Sequence, residues 1–404
     1  MKDLRRKTMR KLIKRIAFLL IFSCQCISHA LCGEKGDVVI GAERSDKLET
    51  LLQGRRIGLV VNQTSVLNNE LQTHLLDFLV ESGYQVKVVF APEHGFRGTE
   101  DAGEEVKDSK DIKTGIPIVS IYGKQKAPTA GQLAEIDAVV FDIQDVGARF
   151  YTYISTMHYV MEACAENGKE LIVLDRPNPN DYVDGPIRQP GFRSFVGVDP
   201  IPLLHGLTVG ELAGMINGEG WLKSGENSCK LEVVPMLNWK HGDPYWLPVK
   251  PSPNLPNDQA VRLYPSLCLF EATPFSVGRG TYFPFQVIGY PDKKFGTYQF
   301  TPAALPGFDT NPIQKDKVCY GVNLQEYPFE GGLTLKFVMD FFDKCGRNAT
   351  FFFSRAKWFD LLAGTDQLRK QIAEGMSEEQ IRESWKEGLD KYKEMRKKYL
   401  LYGE

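Results

Sequence analysis

The feature that most constrains the fold is a series of short apolar runs that alternate with helical patterns between about residues 38 and 205. The runs are rich in Val, Ile and Leu, and they turn polar only at their ends. Such runs are typical of parallel strands that are buried on both faces. The runs are "RRIGLVVNQT", "QVKVVFAPEHG", "IPIVSIYG", "DAVVFDIQD" and "ELIVLDRPNP". We therefore predict an α/β fold with an open, Rossmann-like, doubly wound and mostly parallel sheet.

Helices are predicted between these strands and after them. "ELQTHLLDFLVESG" and "YISTMHYVMEACAENG" carry apolar residues at helical spacing and end on a glycine. Further along, the prolines of "WKHGDPYWLPVKPSPNLPNDQAVRLYPS" predict a long ordered loop, and long ordered loops are usually functional. "QVIGY" and "ATFFFS" are predicted strands. A capping-box pattern, "SEEQ", opens a C-terminal helix that we expect to serve packing only.

The first thirty residues are typical of a secretory signal. A basic segment precedes the apolar run "IAFLLIFSCQC", which is too short to span a bilayer, and "SHA" at 28–30 fits a cleavage site. We expect an exported protein, periplasmic or secreted, with lipidation at Cys24 as the alternative to ordinary cleavage. The rest of the chain is predicted to form a Rossmann-like domain over 35–205 and a second domain over 206–404.

The charge of the chain argues against a nucleic-acid partner. Subtracting the eight basic residues and one acidic residue of 1–30 from the totals of 49 and 51 leaves 41 and 50, a net charge of −9. A net-acidic body does not provide the positive surface that phosphate backbones require. We therefore expect no nucleic acid among the partners.

Motifs for common cofactors and metals are missing from the sequence. It has no GxGxxG in the first βα unit, no Walker A loop, no HExxH and no GxSxG elbow. None of the six cysteines that remain after cleavage is spaced CxxC or lies close to a histidine, which excludes the common zinc-knuckle patterns. We expect no cofactor and no metal, and we expect buried free thiols at several cysteines.

Polar and ionisable side chains gather at the carboxyl ends of four predicted strands. Because these ends of parallel strands meet at one edge of a sheet, we expect them to form one cleft. A single such loop could be only a helix cap, but four together favour a binding or catalytic site. The residues are Glu93, His94 and Arg97 after the first of these strands, then Tyr122, then Asp142, Gln144, Asp145, Arg149 and Tyr151, and finally Asp175, Arg176 and Asn178.

Individual roles stay open at this point. Asp142 and Asp145 point to opposite sides of their strand, so at most one of them is expected to face the cleft unless the strand ends at Gln144. A structural role for Asp145, pairing with Arg149 or capping the next helix, stays open beside a catalytic one. Two later segments offer further candidates. Asn254 stands between prolines in "SPNLPN" and suits a sugar hydroxyl or amide, and "FEATPFSVGRGT" offers Glu271 and Arg279.

Carboxylates, arginines, tyrosines and amides, without a metal motif or a serine elbow, suit glycoside hydrolysis. One carboxylic acid protonates the leaving oxygen while a second group activates water or attacks the sugar. Arginines are useful if the sugar is anionic, because a guanidinium can hold a carboxylate through two parallel hydrogen bonds. The residues therefore favour a glycoside hydrolase.

Seven motifs stand in the same order as in one bacterial family: "FAPEHGFRG", "TGIPIVSIYG", "FDIQDVGARFYTYISTM", "VLDRPNP", "IPLLHGLTVGEL", "PSPNLP" and "SVGRGT". On these motifs the chain resembles the NamZ-type exo-β-N-acetylmuramidases, glycoside hydrolase family 171, from about residue 41 to the "KYLLYG" segment. The resemblance implies release of N-acetylmuramic acid from the non-reducing end of peptidoglycan fragments. It also implies a Rossmann-like domain and a smaller C-terminal α/β domain with the cleft between them.

The resemblance also implies roles for single residues. Glu93 in "PEHG" is expected to be the catalytic acid, with Asp142 in "FDIQD" preferred over Glu271 in "FEAT" as its partner. Two other functions stay open, a non-catalytic protein that binds sugar or peptidoglycan and a hydrolase of another muropeptide bond. The lactyl carboxylate of muramic acid is expected to bind one of four arginines, namely Arg97, Arg149, Arg176 and Arg279.

Overall fold

A seven-stranded sheet lies at the centre of the structure, a computed structural model that describes residues 36–96, 108–223 and 228–403. The strands of the described residues are β1 (Arg56–Val61), β2 (Gln85–Ala91), β3 (Ser109–Lys110), β4 (Pro117–Ser120), β5 (Ala138–Asp142), β6 (Glu170–Leu174), β7 (Val183–Asp184), β8 (Leu204–His205), β9 (Lys230–Val234), β10 (Val287–Tyr290), β11 (Tyr298–Phe300) and β12 (Cys319–Asn323). The central sheet has the order β3-β4-β2-β1-β5-β6-β9. All of its neighbouring strands are parallel except the antiparallel pair β3 and β4.

The burial of the central strands explains their sequence. All five residues of β5 are buried, as are five of the six residues of β1, so both faces of these strands must be apolar. From β1 the chain moves outward through β2 and β4, and it then returns to the other side of β1 at β5. This reversal opens a crevice at the carboxyl edge of the sheet. The predicted α/β fold with a mostly parallel sheet is confirmed.

Helices flank this sheet, and seven of those described lie in the second half of the chain. The helices of the described residues are α1 (Ser45–Leu52), α2 (Leu75–Glu81), α3 (Ala130–Ala134), α4 (Tyr153–Glu166), α5 (Val209–Gly218), α6 (Asp258–Leu267), α7 (Lys336–Lys344), α8 (Ala349–Phe352), α9 (Ala356–Ala363), α10 (Gln367–Glu374) and α11 (Glu378–Arg396). The strands β10, β12 and β11 form a small antiparallel sheet in this half, and β7 pairs with β8.

The predicted capping box at the start of the C-terminal helix is confirmed. The Ser377 side chain accepts a hydrogen bond from the Gln380 backbone, and the Gln380 side chain bonds back to the backbone of Ser377. Ile381, Trp385 and Tyr392 are buried on one face of α11, as their helical spacing predicts. The helix packs against the rest of the protein.

Two predictions of local structure are wrong. The "ATFFFS" segment is not a strand but contains the short helix α8, because Asn348 caps its first turn and Phe352 packs into an aromatic core beside Phe270 and Phe342. The proline-rich stretch is irregular only as far as Asn257, whose side chain caps α6. Pro265 lies inside α6, in its last turn.

Helix α11 connects the second half of the chain to the β7–β8 hairpin. The Tyr392 hydroxyl donates to the carbonyl oxygen of His205 at 2.8 Å, and Arg382 forms an ion pair with Asp184 at 2.7 Å. The central sheet also takes its edge strand β9 from beyond residue 205. The predicted division into domains at 205/206 stays a prediction.

The described residues also bear on membrane contact and on the thiols. Among them, no helix combines the length and the apolar composition that crossing a bilayer requires. Five cysteines within the described ranges are free thiols, of which Cys164, Cys229, Cys268 and Cys319 are buried and Cys345 is half-buried. The prediction of buried free thiols is confirmed for these four. Cys24, Cys32 and the predicted signal lie outside the described residues.

Candidate active site

A cavity of about 400 Å³ lies at the carboxyl edge of the central sheet. The loops after β2, β4 and β5 form one side of it, and segments from the second half of the chain, including α9, form the other. Of the residues predicted for the site, the cavity is lined by Glu93, His94, Tyr122, Tyr151, Asn254, Glu271 and Arg279. The crevice therefore brings together predicted residues that are up to 186 positions apart in the sequence, since it joins Glu93 to Arg279.

Glu93 stands in a tight turn directly after β2. His94 has a φ of 67° and Gly95 a φ of 73°, so the chain reverses immediately after the glutamate and presents its side chain to the cavity. The Tyr122 hydroxyl donates to Oε1 of Glu93 at 2.8 Å, and the Thr152 hydroxyl donates to Oε2 at 2.6 Å. Both carboxylate oxygens are thus held by hydroxyl groups from two other loops. Burial, and then the nearby charge of Glu93, raise the pKa of Tyr122 well above its ordinary value, so the phenol keeps its proton.

A second carboxylate, Glu271, lines the same cavity in an ion pair with Arg279. The Arg279 Nε donates to Oε1 of Glu271, and the Cys268 thiol contacts the other oxygen at 3.7 Å. Burial by itself lowers the pKa of Arg279, but the Glu271 charge outweighs it and holds the pKa above its ordinary value. The guanidinium also lies 5.2 Å from the centre of the Phe285 ring. Arg279 therefore stays charged in a largely apolar surrounding.

The loop that carries Arg279 depends on its two flanking glycines. Gly278 and Gly280 have φ values of 85° and 75°, which side chains rarely adopt. A Cβ atom on Gly280 would also lie 2.4 Å from the carbonyl oxygen of Ala303. The two glycines of the "SVGRGT" motif are therefore required for the position of the arginine between them.

Aromatic rings make up much of the remaining wall. Tyr264 packs edge-on against Phe150, Tyr151 and Phe285, with ring centres 5.1, 6.0 and 4.9 Å apart. The Tyr151 hydroxyl donates to the carbonyl oxygen of Pro251 at 2.7 Å. This packing gives a rigid and mostly apolar wall with a few polar groups, which is typical of small-molecule sites.

Asn254 supplies one of these polar groups. Its Nδ2 donates to the carbonyl oxygen of Phe308 at 2.8 Å, and the residue is only 2% exposed. Within the described part of the chain, its Oδ1 is buried and has no hydrogen-bond partner. A buried acceptor without a partner costs free energy, which a hydrogen bond from a bound ligand would recover.

Asp142, preferred from the sequence as the second catalytic group, does not line the cavity. It is fully buried, and both of its carboxylate oxygens accept hydrogen bonds from Arg176, at 2.6 and 2.9 Å. Arg176 is itself 2% exposed and also donates to the carbonyl oxygen of Val66. The two residues neutralise one another inside the protein, which corrects the expectation that they face a ligand.

Four more predicted residues are also structural. Arg149 is buried and donates to the carbonyl oxygens of Pro186, Ile201 and Leu362, and burial lowers its pKa to about 9. The other three are buried in polar networks away from the cavity. The Gln144 amide donates to the carbonyl oxygen of Pro177, and the Asn178 amide donates to the carbonyl oxygen of Leu207. The Asp175 carboxylate accepts hydrogen bonds from the Thr208 hydroxyl, the Gly210 backbone and the Tyr402 hydroxyl. Arg97 lies outside the described residues.

The Asp175 network joins distant parts of the chain. Burial raises the pKa of Asp175 to about 6, against the opposing effect of its 2.6 Å hydrogen bond from Tyr402. Nearby, the Glu211 carboxylate accepts from the backbone of Leu401 at 2.8 Å and lies 3.0 Å from Nε2 of His241. These contacts fix residues 401 and 402 against the end of β6 and the start of α5.

Several cavity residues were missed in the sequence. Thr152 directly follows Tyr151 in the "FDIQDVGARFYTYISTM" motif, and this neighbouring position is the one sequence signal that could have indicated it. Phe195, Tyr264, Phe285 and Trp358 carry no pattern that separates them from other apolar residues. Nowhere in the described ranges do three or more His, Cys, Asp or Glu side chains converge in a way that could hold a metal ion.

Comparison with known proteins places the chain in a family. Models of the N-terminal and C-terminal parts of exo-β-N-acetylmuramidase NamZ match residues 57–259 and 262–402. The peptidoglycan β-N-acetylmuramidase NamZ of Bacillus subtilis (strain 168) is 41% identical over 375 residues, which cover 87% of this chain and 88% of that protein.

Two crystal structures of DUF1343 family proteins from Bacteroides fragilis NCTC 9343 are also similar. One has a TM-score of 0.83 and 44% identity and covers 91% of this chain and 100% of its own. The other has a TM-score of 0.78 and 32% identity and covers 90% of this chain and 99% of its own. With both family models matched across nearly all of the described residues, the chain belongs to the exo-β-N-acetylmuramidase NamZ family.

Proposed function

We propose that this protein is an exo-acting glycosidase that releases N-acetylmuramic acid from the non-reducing end of peptidoglycan fragments. The relationship to the Bacillus subtilis muramidase supports the activity, and the cavity supports the chemistry. The observation that carries the proposal is the position of Glu93, which two hydroxyls hold in the same cavity as the Glu271–Arg279 pair. Two carboxylates in one sugar-sized cavity are the usual requirement for glycoside hydrolysis.

Glu93 is the general acid in this proposal. It transfers its proton to the glycosidic oxygen as the bond to the sugar breaks, and it becomes a carboxylate. The hydroxyls of Tyr122 and Thr152 each donate to one of its oxygens, so they stabilise the negative charge that the transfer leaves behind. Their arrangement also fixes the direction in which the carboxyl group points.

Glu271 takes the role that the sequence first gave to Asp142. In this proposal it acts as a carboxylate that activates water or attacks the sugar, and the ion pair with Arg279 holds it in place. The Arg279 guanidinium has further N–H donors beyond the Nε that Glu271 uses. In this proposal those donors bind the lactyl carboxylate, the group that distinguishes muramic acid from glucosamine.

Asn254 binds the acetamido group of the sugar. Its buried Oδ1 has no partner among the described residues, and the acetamido N–H is a donor of the kind that it lacks. The aromatic wall around Tyr264 then covers the apolar face of the ring. Together these contacts select an N-acetylated and anionic sugar.

The proposed substrates are muropeptides and the disaccharide N-acetylmuramic acid–N-acetylglucosamine, and the proposed setting is cell-wall recycling outside the cytoplasm. The signal predicted for residues 1–30 supports export to the periplasm or the medium. Mass spectrometry of the mature protein distinguishes cleavage after Ala30 from lipidation at Cys24, and an intact N-terminus would contradict both.

A chromogenic glycoside of N-acetylmuramic acid tests the central proposal. The wild type should release the chromophore, and Glu93→Gln should be slower by about two decades or more, since a general acid contributes that much. Binding of the glycoside without release would indicate a non-catalytic binding protein. Cleavage of muropeptide amide bonds in place of the glycoside would indicate a different hydrolase. An unchanged rate in Glu93→Gln would overturn the assignment of the acid.

A further inference from the structure

An aromatic pair, the exposed Tyr282 and the half-buried Phe308, lies next to the cavity and takes no part in the proposed chemistry. The Tyr282 side chain is 75% exposed, although large aromatic residues are usually covered. Its ring meets that of Phe308 edge-on, with ring centres 6.2 Å apart. The Lys250 Nζ lies 5.1 Å from the centre of the Phe308 ring, which is the range of a cation–π contact. We call these three residues the aromatic rim.

Each residue of the aromatic rim is connected to the cavity wall. Tyr282 lies in the turn between Arg279 and Phe285, which both line the cavity. The carbonyl oxygen of Phe308 accepts the hydrogen bond that positions the Asn254 side chain. Lys250 directly precedes Pro251, whose carbonyl oxygen accepts from the Tyr151 hydroxyl, a wall residue. The aromatic rim is therefore continuous with the cavity through three separate segments.

The aromatic rim differs from the wall in the way its rings are used. The wall rings Tyr264 and Phe285 are buried and packed against one another, so they shape the cavity. The Tyr282 ring contacts only Phe308 among the aromatic pairs of the described residues, and most of its surface faces solvent. An exposed ring beside a cation can cover the apolar face of a saccharide and attract its anionic substituents.

We infer that the aromatic rim binds the part of the glycan beyond the scissile bond, beginning with the N-acetylglucosamine unit that leaves. This inference rests on the proposed function, because an exo-acting enzyme encloses only the terminal sugar and must leave the rest of the glycan outside the cavity. Tyr282 stacks on the leaving saccharide, and Lys250 contributes positive charge toward the carboxylates of a muropeptide further along. The aromatic rim therefore determines preference for the leaving group, not the chemistry.

Two substrates that differ only beyond the scissile bond test this inference. One is the disaccharide N-acetylmuramic acid–N-acetylglucosamine, and the other is the methyl β-glycoside of N-acetylmuramic acid, which has no second sugar. In Tyr282→Ala, kcat/KM for the disaccharide should fall about tenfold, as expected for the loss of one aromatic contact. In the same variant, kcat/KM for the methyl glycoside should stay within about twofold of the wild-type value, since the cavity is intact. Tyr282→Trp should restore the preference for the disaccharide.

Ile112→Ala is the matched control, because Ile112 is fully exposed at 102% and precedes the amino end of β4, away from the carboxyl edge. This variant should leave kcat/KM unchanged for both substrates. If Tyr282→Ala lowers kcat/KM equally for both substrates, or for neither, the inference is wrong while the proposed function stands. If the wild type cleaves neither substrate, the proposed function fails and the inference fails with it.

Discussion

Arg176 holds both carboxylate oxygens of Asp142 inside the protein, with its Nε 2.6 Å from Oδ1 and its Nη2 2.9 Å from Oδ2. Burial by itself lowers the pKa of Arg176, but the Asp142 charge raises it above its ordinary value, so the guanidinium stays charged. The Asp142 backbone carbonyl also accepts from the Ser65 hydroxyl. The pair connects the ends of β5 and β6 with the loop after β1, and it serves the fold.

The first prediction concerns this pair. Asp142→Asn should lower the free energy of unfolding by about 3–5 kcal/mol, because the variant leaves the Arg176 charge buried without a counterion. The folded fraction should cleave substrate at a rate within a few-fold of the wild type. Urea unfolding followed by fluorescence measures the first quantity, and an assay at low temperature measures the second. The double variant Asp142→Leu/Arg176→Met should regain much of the stability. If Asp142→Asn is as stable as the wild type but inactive, the prediction is wrong and Asp142 takes part in catalysis.

The second prediction concerns the hydroxyls that hold Glu93. Tyr122→Phe should lower kcat about tenfold with little change in KM, because it removes one hydrogen bond from the carboxylate that forms in the transition state. Tyr399→Phe is the control, since Tyr399 donates to Glu219 at 2.7 Å in the same way but away from the cavity. An equal loss in both variants would show that Tyr122 acts through general stability.

The third prediction concerns the arginine that remains in the cavity. Arg279→Gln should reduce kcat/KM for muramic acid glycosides by about a hundredfold or more, because the lactyl carboxylate loses its partner in addition to the effect on Glu271, which both glycosides share. For the matching N-acetylglucosamine glycoside, which lacks the lactyl group, kcat/KM should fall much less. Arg347→Gln, which removes an exposed ion pair with Asp343, should change neither substrate. Equal losses on both glycosides would refute the role of Arg279 in recognising the lactyl group.

The fourth prediction concerns the pH dependence of stability. Burial by itself lowers the pKa of His241, but its hydrogen bonds to Asp181 and Glu211 outweigh burial and raise the pKa to about 9. In the unfolded chain the pKa is about 6.5, so the folded state binds the proton more tightly. This stabilisation is complete below about pH 6.5 and is lost as pH rises through about 9, a change of about 3 kcal/mol.

Urea unfolding between pH 6 and pH 9.5 measures this effect. The free energy of unfolding of the wild type should fall across that range. His241→Gln should be less stable than the wild type at pH 6, but its free energy of unfolding should fall less as pH rises. His158, whose pKa is also raised to about 9, by hydrogen bonds to Asp199 and Glu162 that outweigh burial, is present in both proteins. The difference between the two profiles therefore reports His241, and parallel profiles would contradict the prediction.

The sequence predicted the sheet and the edge at which the cavity lies, because runs buried on both faces leave polar residues only at strand ends. It could not separate Glu93 from Asp142, since both follow or end a buried strand. Which of them faces a ligand depends on whether Arg176, 34 positions further along, folds back onto the aspartate. Likewise, the contribution of Glu271 and Trp358 depends on how the second half packs against the sheet, and no local pattern records that packing.

The "ATFFFS" segment shows the same limit at the level of secondary structure. Three successive phenylalanines favour a strand by propensity, but Asn348 caps a helical turn and Phe352 finds an aromatic core formed by distant residues. Tertiary contacts decide such short segments.

The hydrogen bonds that fix Leu401 and Tyr402 affect when this protein can fold. They join residues 190 and 227 positions apart, so the buried carboxylates of Glu211 and Asp175 acquire these partners only after almost all of the described chain has been made. Contacts of such long range slow folding because a large loop must close before they form. Until residues 401 and 402 have been made, a growing chain lacks these two partners for its buried carboxylates. The two halves of the chain therefore depend on one another to complete this network.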